Sequence, residues 1–175
     1  MRLTRILCFS RNSWLCYGFL LVGLFFLVGG LLPPLGVKCG QPIMADWLYE
    51  VFSASCQQQP TRTFWILGYP MALCARCIGV YLGFSSGALY CSIQQQRVTL
   101  SGFVIVVLVT VAFGEKLLEW SNLWLANNTV RLLSGIGLGF LIFLLVSWVM
   151  SSVMMRVKGY AIALFSKTKP LSRLD

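Results

Sequence analysis

The sequence predicts an all-α integral membrane protein: a bundle of four transmembrane helices forming one domain over residues 1–175, with an amphipathic interfacial helix in the first outer connection. Three observations carry this. The chain is 58% hydrophobic and only 11% charged, far more apolar than a soluble globular domain. Four of its stretches approach the roughly 20 apolar residues that a helix needs to cross a hydrocarbon core of about 30 Å. Finally, the 14 Lys and Arg residues fall between these stretches rather than on one soluble face, so the net charge of +9 reads as membrane topology and not as a nucleic-acid surface.

The first span, 13–33, lies in a charge-free run from Asn12 to Val37 that Pro33 and Pro34 are expected to stop. Arg2, Arg5 and Arg11 before it resemble the basic start of a signal peptide. The apolar run is too long for one, and Lys38 before Cys39 argues against a lipoprotein cleavage site, so an uncleaved anchor is expected. The second span is placed at 71–93, the third at 98–118 and the fourth at 131–153, followed by a basic tail over 156–175. The apolar piece from Gly159 to Ser166 is too short to span and is expected at the membrane surface.

Counting Lys and Arg orients the bundle. Nine lie at the N-terminus, at Arg97 and in the tail, against five (Lys38, Arg62, Arg76, Lys116, Arg131) on the other side. Both termini are therefore expected in the cytoplasm of a prokaryotic cell, with the protein in its plasma membrane or in an internal photosynthetic membrane. The outer connection, 38–70, is far longer than the few residues that usually join packed helices. Within it Ile43, Met44, Trp47, Leu48, Val51 and Phe52 recur at helical spacing opposite Asp46, Glu50 and Ser53, the pattern of a helix lying on the membrane or capping the bundle.

This orientation divides the seven cysteines. Cys8, Cys16 and Cys91 fall at the cytoplasmic side, where thiols stay reduced, and Cys39, Cys56, Cys74 and Cys77 fall outside. Cys74-Ala75-Arg76-Cys77 stands at the expected start of the second helix, where positions three apart share a face and both Arg76 and the helix N-terminus favour thiolate. Four outer cysteines permit two disulfides, one four-thiolate zinc site, a redox relay, or plain packing as small apolar residues. Histidine is absent, which removes the commonest general base and metal ligand. At the outer end of the third helix, Glu115 and Glu119 lie four apart on one face, and charges near hydrocarbon need partners; Arg76 and Arg131, the latter at the start of the fourth helix, are the candidates, in a polar outer cluster with Arg62. Small residues four apart, Gly79, Gly83 and Gly87 on one helix and Gly135 and Gly139 on another, predict close helix packing.

The run Cys56-Gln57-Gln58-Gln59-Pro60-Thr61-Arg62-Thr63-Phe64, then Leu73-Cys74-Ala75-Arg76-Cys77-Ile78-Gly79-Val80-Tyr81-Leu82-Gly83, then Asn128, Arg131, Gly135 and Gly139, resembles the family of small bacterial and archaeal membrane proteins called domain of unknown function 2085. That family's pattern is C-H-Q-x-P-x-R-S followed by C-x-R-C-x-G-x-Y-x-G, so Gln57 stands where the family has histidine. If the family's Cys, His, Cys and Cys hold a metal, Gln57 is a poor soft-metal ligand and Cys39 is the candidate replacement. The resemblance strengthens the site without naming a reaction. Two function classes follow. In the first, the outer cysteines make a structural zinc or disulfide site in a protein that binds lipid of the bilayer or a protein partner in the membrane. In the second, a thiol–disulfide oxidoreductase, Cys74 and Cys77 exchange electrons with a quinone and Cys39 and Cys56 relay them. Four-helix quinone reductases provide only an architectural analogy for it.

Overall fold

A segment rich in leucine, phenylalanine and valine, charge-free up to Lys38, carries the first helix, α1, from Ser13 to Lys38. It does not stop at the prolines. Pro33 and Pro34 remove two backbone donors, yet both are fully buried inside a continuing helix. The segment is held by tertiary contact: Phe52 packs onto Gly29 and Leu73 onto Gly30, one turn before the prolines, where any added Cβ would collide with those side chains.

The computed structural model describes residues 4–5, 13–94, 99–100, 102–121 and 127–167, and these are mostly helical. A two-residue strand, β1 (Thr4–Arg5), precedes α1. After α1, a turn at Cys39 and Gly40 leads to α2 (Pro42–Ser53), with a proline in its first turn. The expected amphipathic helix is present with its apolar residues divided between two faces. Ala45, Leu48, Tyr49 and Phe52 face the bundle, whereas Ile43, Met44, Trp47 and Val51 stay exposed. That outward stripe fits a membrane interface better than water.

The all-α expectation needs one correction. A 3-10 turn at Pro60–Arg62 opens a β-hairpin of β2 (Thr63–Ile66) and β3 (Tyr69–Cys74). Strands pair antiparallel with Thr63 opposite Cys74 and Ile66 opposite Tyr69. Leu67 and Gly68 both adopt positive φ, +54° and +86°, as a two-residue hairpin turn requires. The aromatic and β-branched run Thr63-Phe64-Trp65-Ile66, ended by a glycine, is the strand signal that helical reading passes over. The second long helix therefore starts later than expected, as α3 (Ala75–Gln94).

Next come β4 (Thr99–Leu100), paired antiparallel with β1, and α4 (Gly102–Trp120). The last element, α5, is one helix from Asn128 to Lys167, so the apolar piece after residue 158 continues the helix instead of forming a separate surface segment. Among the described residues, two helices suffice by length and composition to cross a membrane, Cys16–Lys38 and Asn128–Met154, where four were expected. Three charges in the last turns of α4 (Glu115, Lys116, Glu119), and the serines and Arg76 of α3, lower the apolar character of the other two. Large apolar side chains nonetheless coat the outer faces, α4 included: Phe25 is 68% exposed, Val106 62% and Phe113 63%. Such a surface suits lipid rather than water.

The helices meet through their glycines. α3 packs chiefly on α5 and next on α1. A Cβ on Gly83 would strike the Ile136 carbonyl, one on Gly139 the Val80 carbonyl, and one on Gly135 the Arg76 carbonyl, so backbones touch directly. Phe26 of α1 stacks on Tyr81 of α3 at 4.5 Å, and at the other end Phe19, Phe84 and Phe143 pack edge to face around Cys16, Ala88, Cys91 and Leu144. Cys91 is disulfide-bonded, contrary to the reduced state expected of the cysteines at this end, while Cys16 is a free buried thiol; Cys8 lies outside the described residues.

Because the α3–α5 contact leaves no room for a side chain, Gly83→Leu should destabilise by at least about 1–3 kcal/mol. This reads as a drop of several degrees in the unfolding midpoint of the detergent-solubilised protein. Gly18→Leu, at a position facing open space, should change it by no more than about 0.5 kcal/mol. Equal effects would mean that the glycine contact does not hold the helices together.

Candidate metal centre

Three chain segments bring the site together. α2 ends at Ser53, and the Ser55 and Cys56 amides both donate to the Phe52 carbonyl at 3.0 Å, turning the chain so that Cys56 points inward and is buried. Gln58 then adopts positive φ, +49°, and its Nε2 donates to the Tyr49 carbonyl at 2.7 Å, fixing this loop to α2. Thr63 Oγ1 donates to the Gln59 carbonyl at 2.8 Å, and the Tyr49 hydroxyl donates to the Pro70 carbonyl, so the hairpin is bound to both loop and helix. Cys74 is the last residue of β3 and Cys77 lies in the first turn of α3. The pair therefore spans a strand-to-helix junction instead of one helical face.

The Sγ atoms of Cys56, Cys74 and Cys77 all lie within 4.8 Å of one another, and all three are free thiols. The Cys74 N–H donates to Cys56 Sγ at 3.2 Å. Hydrogen bonds from the Cys74 and Cys77 thiols, then from the Gln58 and Cys74 amides, hold the Cys56 thiol far below its ordinary range, against the burial that raises it. Cys56 is thus the thiol toward which its neighbours direct their hydrogen bonds. Three sulfur donors fit a soft divalent ion: at Zn–S distances of about 2.3 Å, tetrahedral sulfurs stand roughly 3.8 Å apart, within reach of small side-chain rotations. Cys39 is not part of this group; it is exposed in the turn after α1.

Beside the sulfurs lies the ionic cluster. Glu119, buried on α4, receives Arg131 Nη2 at 2.7 Å, Arg62 Nε at 3.2 Å and Arg76 Nη2 at 3.3 Å. Arg76 Nη2 also donates to Glu115 at 2.9 Å. Arg131 Nη1 donates to Asn128 Oδ1 at 3.0 Å, and Asn128 Nδ2 reaches the Thr63 carbonyl at 3.3 Å, joining α5 to the hairpin. All five charged residues singled out in the sequence, Arg62, Arg76, Glu115, Glu119 and Arg131, meet here. Arg76, expected to favour thiolate at its neighbouring cysteines, directs its donors to the two carboxylates. Burial pushes the Glu119 carboxyl up, but Arg131, Arg62 and Arg76 outweigh it and hold the carboxyl below its ordinary range.

Sulfurs and cations share one cavity of about 250 Å³, lined by Cys56, Cys74, Cys77, Arg62, Arg76, Arg131, Lys116 and the glutamines 57 to 59. Gln57, exposed, stands on its wall. Sequence reasoning missed Gln58 and the Asn128–Thr63 link. The first depends on an unusual φ and the second on a hairpin that was not anticipated.

A family model described as "Predicted membrane protein (DUF2085)" matches residues 56–145, from the first clustered cysteine to the middle of α5. The chain belongs to the DUF2085 family. An uncharacterised protein of Methanocaldococcus jannaschii is 31% identical over 97 residues, 53% of this chain and 62% of that protein, so the match spans about three-fifths of its length. An uncharacterised protein of Methanothermobacter thermautotrophicus is 27% identical over 89 residues, 50% of this chain and 80% of that protein. No solved structure matches the chain. The family is thus one of membrane proteins, and the region it defines in this chain contains all the clustered thiols and all five charged residues.

Removing the Glu119 charge leaves three guanidinium groups without their shared partner. Glu119→Gln should destabilise by about 3–5 kcal/mol. The folded pKa of Glu119 lies below its unfolded value, so its contribution is complete above the ordinary carboxylate range and is lost as pH falls through the lowered pKa. The unfolding midpoint of the wild-type protein should therefore fall below about pH 4, and the part of this fall due to Glu119 should be missing in Glu119→Gln.

Proposed function

We propose that this protein is a four-span membrane protein in which Cys56, Cys74 and Cys77 hold one zinc ion, fastening the α2 loop and the hairpin to the start of α3 and supporting contact with lipid or a membrane partner. The reading rests on three free thiols within 4.8 Å of one another, with the Cys74 amide donating to Cys56 Sγ. Zinc would supply a cross-link between segments too short to build a core of their own. α3 and α4 serve as the two additional spans, with the charged ends of both at one membrane boundary. The redox alternative requires Cys39 as relay to Cys56, and Cys39 is not among the clustered thiols.

Metal analysis with thiol counting tests this directly. One zinc per chain with three protected thiols is expected, lost in Cys56→Ser and Cys74→Ser and retained in Cys39→Ser. A metal-free protein whose Cys74 and Cys77 cycle between thiol and disulfide with quinone would replace the zinc reading by the redox one.

The Lys and Arg count supports an orientation with both termini in the cytoplasm and the cysteine site outside. The Cys91 disulfide points the other way, because disulfides belong to oxidising compartments. Zinc is compatible with either, since bound thiolates resist oxidation outside and unbound ones stay reduced inside. Membrane-impermeant thiol labelling of intact cells, after reduction and metal removal, should reach Cys39 or Cys56 and spare Cys8. The reverse pattern overturns the orientation and leaves the site chemistry untouched.

A further inference from the structure

Among the described residues, three thiols converge and no fourth protein ligand accompanies them. Zinc takes four ligands, and a site with three protein donors keeps one position for an incoming group. The cavity that the sulfurs line is otherwise rich in cations. Arg62, Arg76, Arg131 and Lys116 line the same cavity as the sulfurs, while the two carboxylates that partly neutralise them, Glu115 and Glu119, are not among its lining residues.

The nitrogen atoms add a second observation. Arg62 uses Nε and Arg76 uses Nη2 on the carboxylates, so each retains guanidinium donors beyond those ion pairs. Arg131 is only 6% exposed, and its buried Nε has no hydrogen-bond partner. An unpaired buried donor is costly, and a ligand acceptor would remove that cost. Charge points the same way: four cations against two carboxylates leave two positive charges, and three thiolates around a divalent ion leave one negative charge. The site as a whole retains one positive charge and suits a monoanion.

We infer that the open position takes a phosphate-class oxyanion, one oxygen on the metal and the others shared among Arg62, Arg76, Arg131 and Lys116. A tetrahedral phosphate keeps further oxygens for the cations after one binds metal, whereas a carboxylate keeps a single one. Arginine and lysine are the side chains that recognise phosphate by charge and geometry. A cavity of about 250 Å³ admits such a group but is smaller than most sites for drug-sized ligands. Its two sources, a lipid headgroup phosphodiester and free phosphate, share this chemistry. Gln57 gives the assignment a chain-specific consequence: placed on the cavity wall next to Cys56, a histidine there would offer a fourth protein ligand and close the position.

This inference rests on the metal reading, and its test separates the two. The full chain, delipidated in a sugar-based detergent, is loaded with cobalt(II), whose visible absorption reports the ligand set. Inorganic phosphate and, separately, a short-chain phosphatidylglycerol are titrated in, with acetate as control. A saturable spectral change is expected with the phosphate-class probes and not with acetate, and the probe that saturates at the lower concentration identifies the source. Arg62→Gln, at a half-exposed position, should weaken the response by roughly 10- to 100-fold. Gln57→His should bind cobalt yet no longer respond. If cobalt does not bind, the metal reading itself falls. If cobalt binds and neither phosphate probe changes the spectrum, or acetate acts equally, the inference falls while the metal reading stands.

Discussion

Glu119 is the point on which this end of the molecule depends. A buried carboxylate in low dielectric is tolerated only when paired, and this one collects arginines from three separate places: Arg62 before the hairpin, Arg76 at the start of α3 and Arg131 near the start of α5. Its own helix, α4, has a thinner interface with the bundle than α3 does. The ionic cluster is therefore what ties α4 to the rest at this boundary. The same interaction explains why three guanidinium groups can stand side by side next to a thiol cluster without repelling one another apart.

Arg76 and Arg131 are placed by backbone contact between α3 and α5 rather than by their own side chains. Gly135 admits the Arg76 carbonyl, and Gly79 sits against the Leu132 carbonyl, one residue beyond Arg131. The glycine seam thus sets the distance between α3 and α5 at the level of the site as well as deeper in the bundle. A packing motif and a chemical motif share the same residues, so a change to one disturbs the other.

The hairpin provides the remaining constraint. Cys56, Cys74 and Cys77 lie on a loop, a strand end and a helix start, and the Leu67-Gly68 turn folds the chain back so that the last strand residue, Cys74, donates its amide to Cys56 Sγ. The site is a meeting of three short segments whose buried residues Phe52, Met71, Ala72, Leu73 and Ile78 share one apolar cluster. Bonds from Tyr49, Gln58 and Asn128 hold these segments to one another.

The sequence by itself determined the features that are local: apolar lengths that make helices, the amphipathic residues of α2, glycines four apart, and the types of residue, cysteine and charge, that need partners. Even there, the apolar length did not make α3 and α4 as membrane-like as α1 and α5, because charged and polar residues share those turns. Tertiary structure decided what depends on convergence. It carried α1 through two prolines by packing Phe52 and Leu73 on the glycines before them. It left Cys39 outside the thiol group, moved Cys74 from a helix to a strand, and chose Glu119 as the common partner of three arginines. Periodicity reports which face a residue occupies on its own element; which elements meet, and at what distance, follows from packing that no local spacing records.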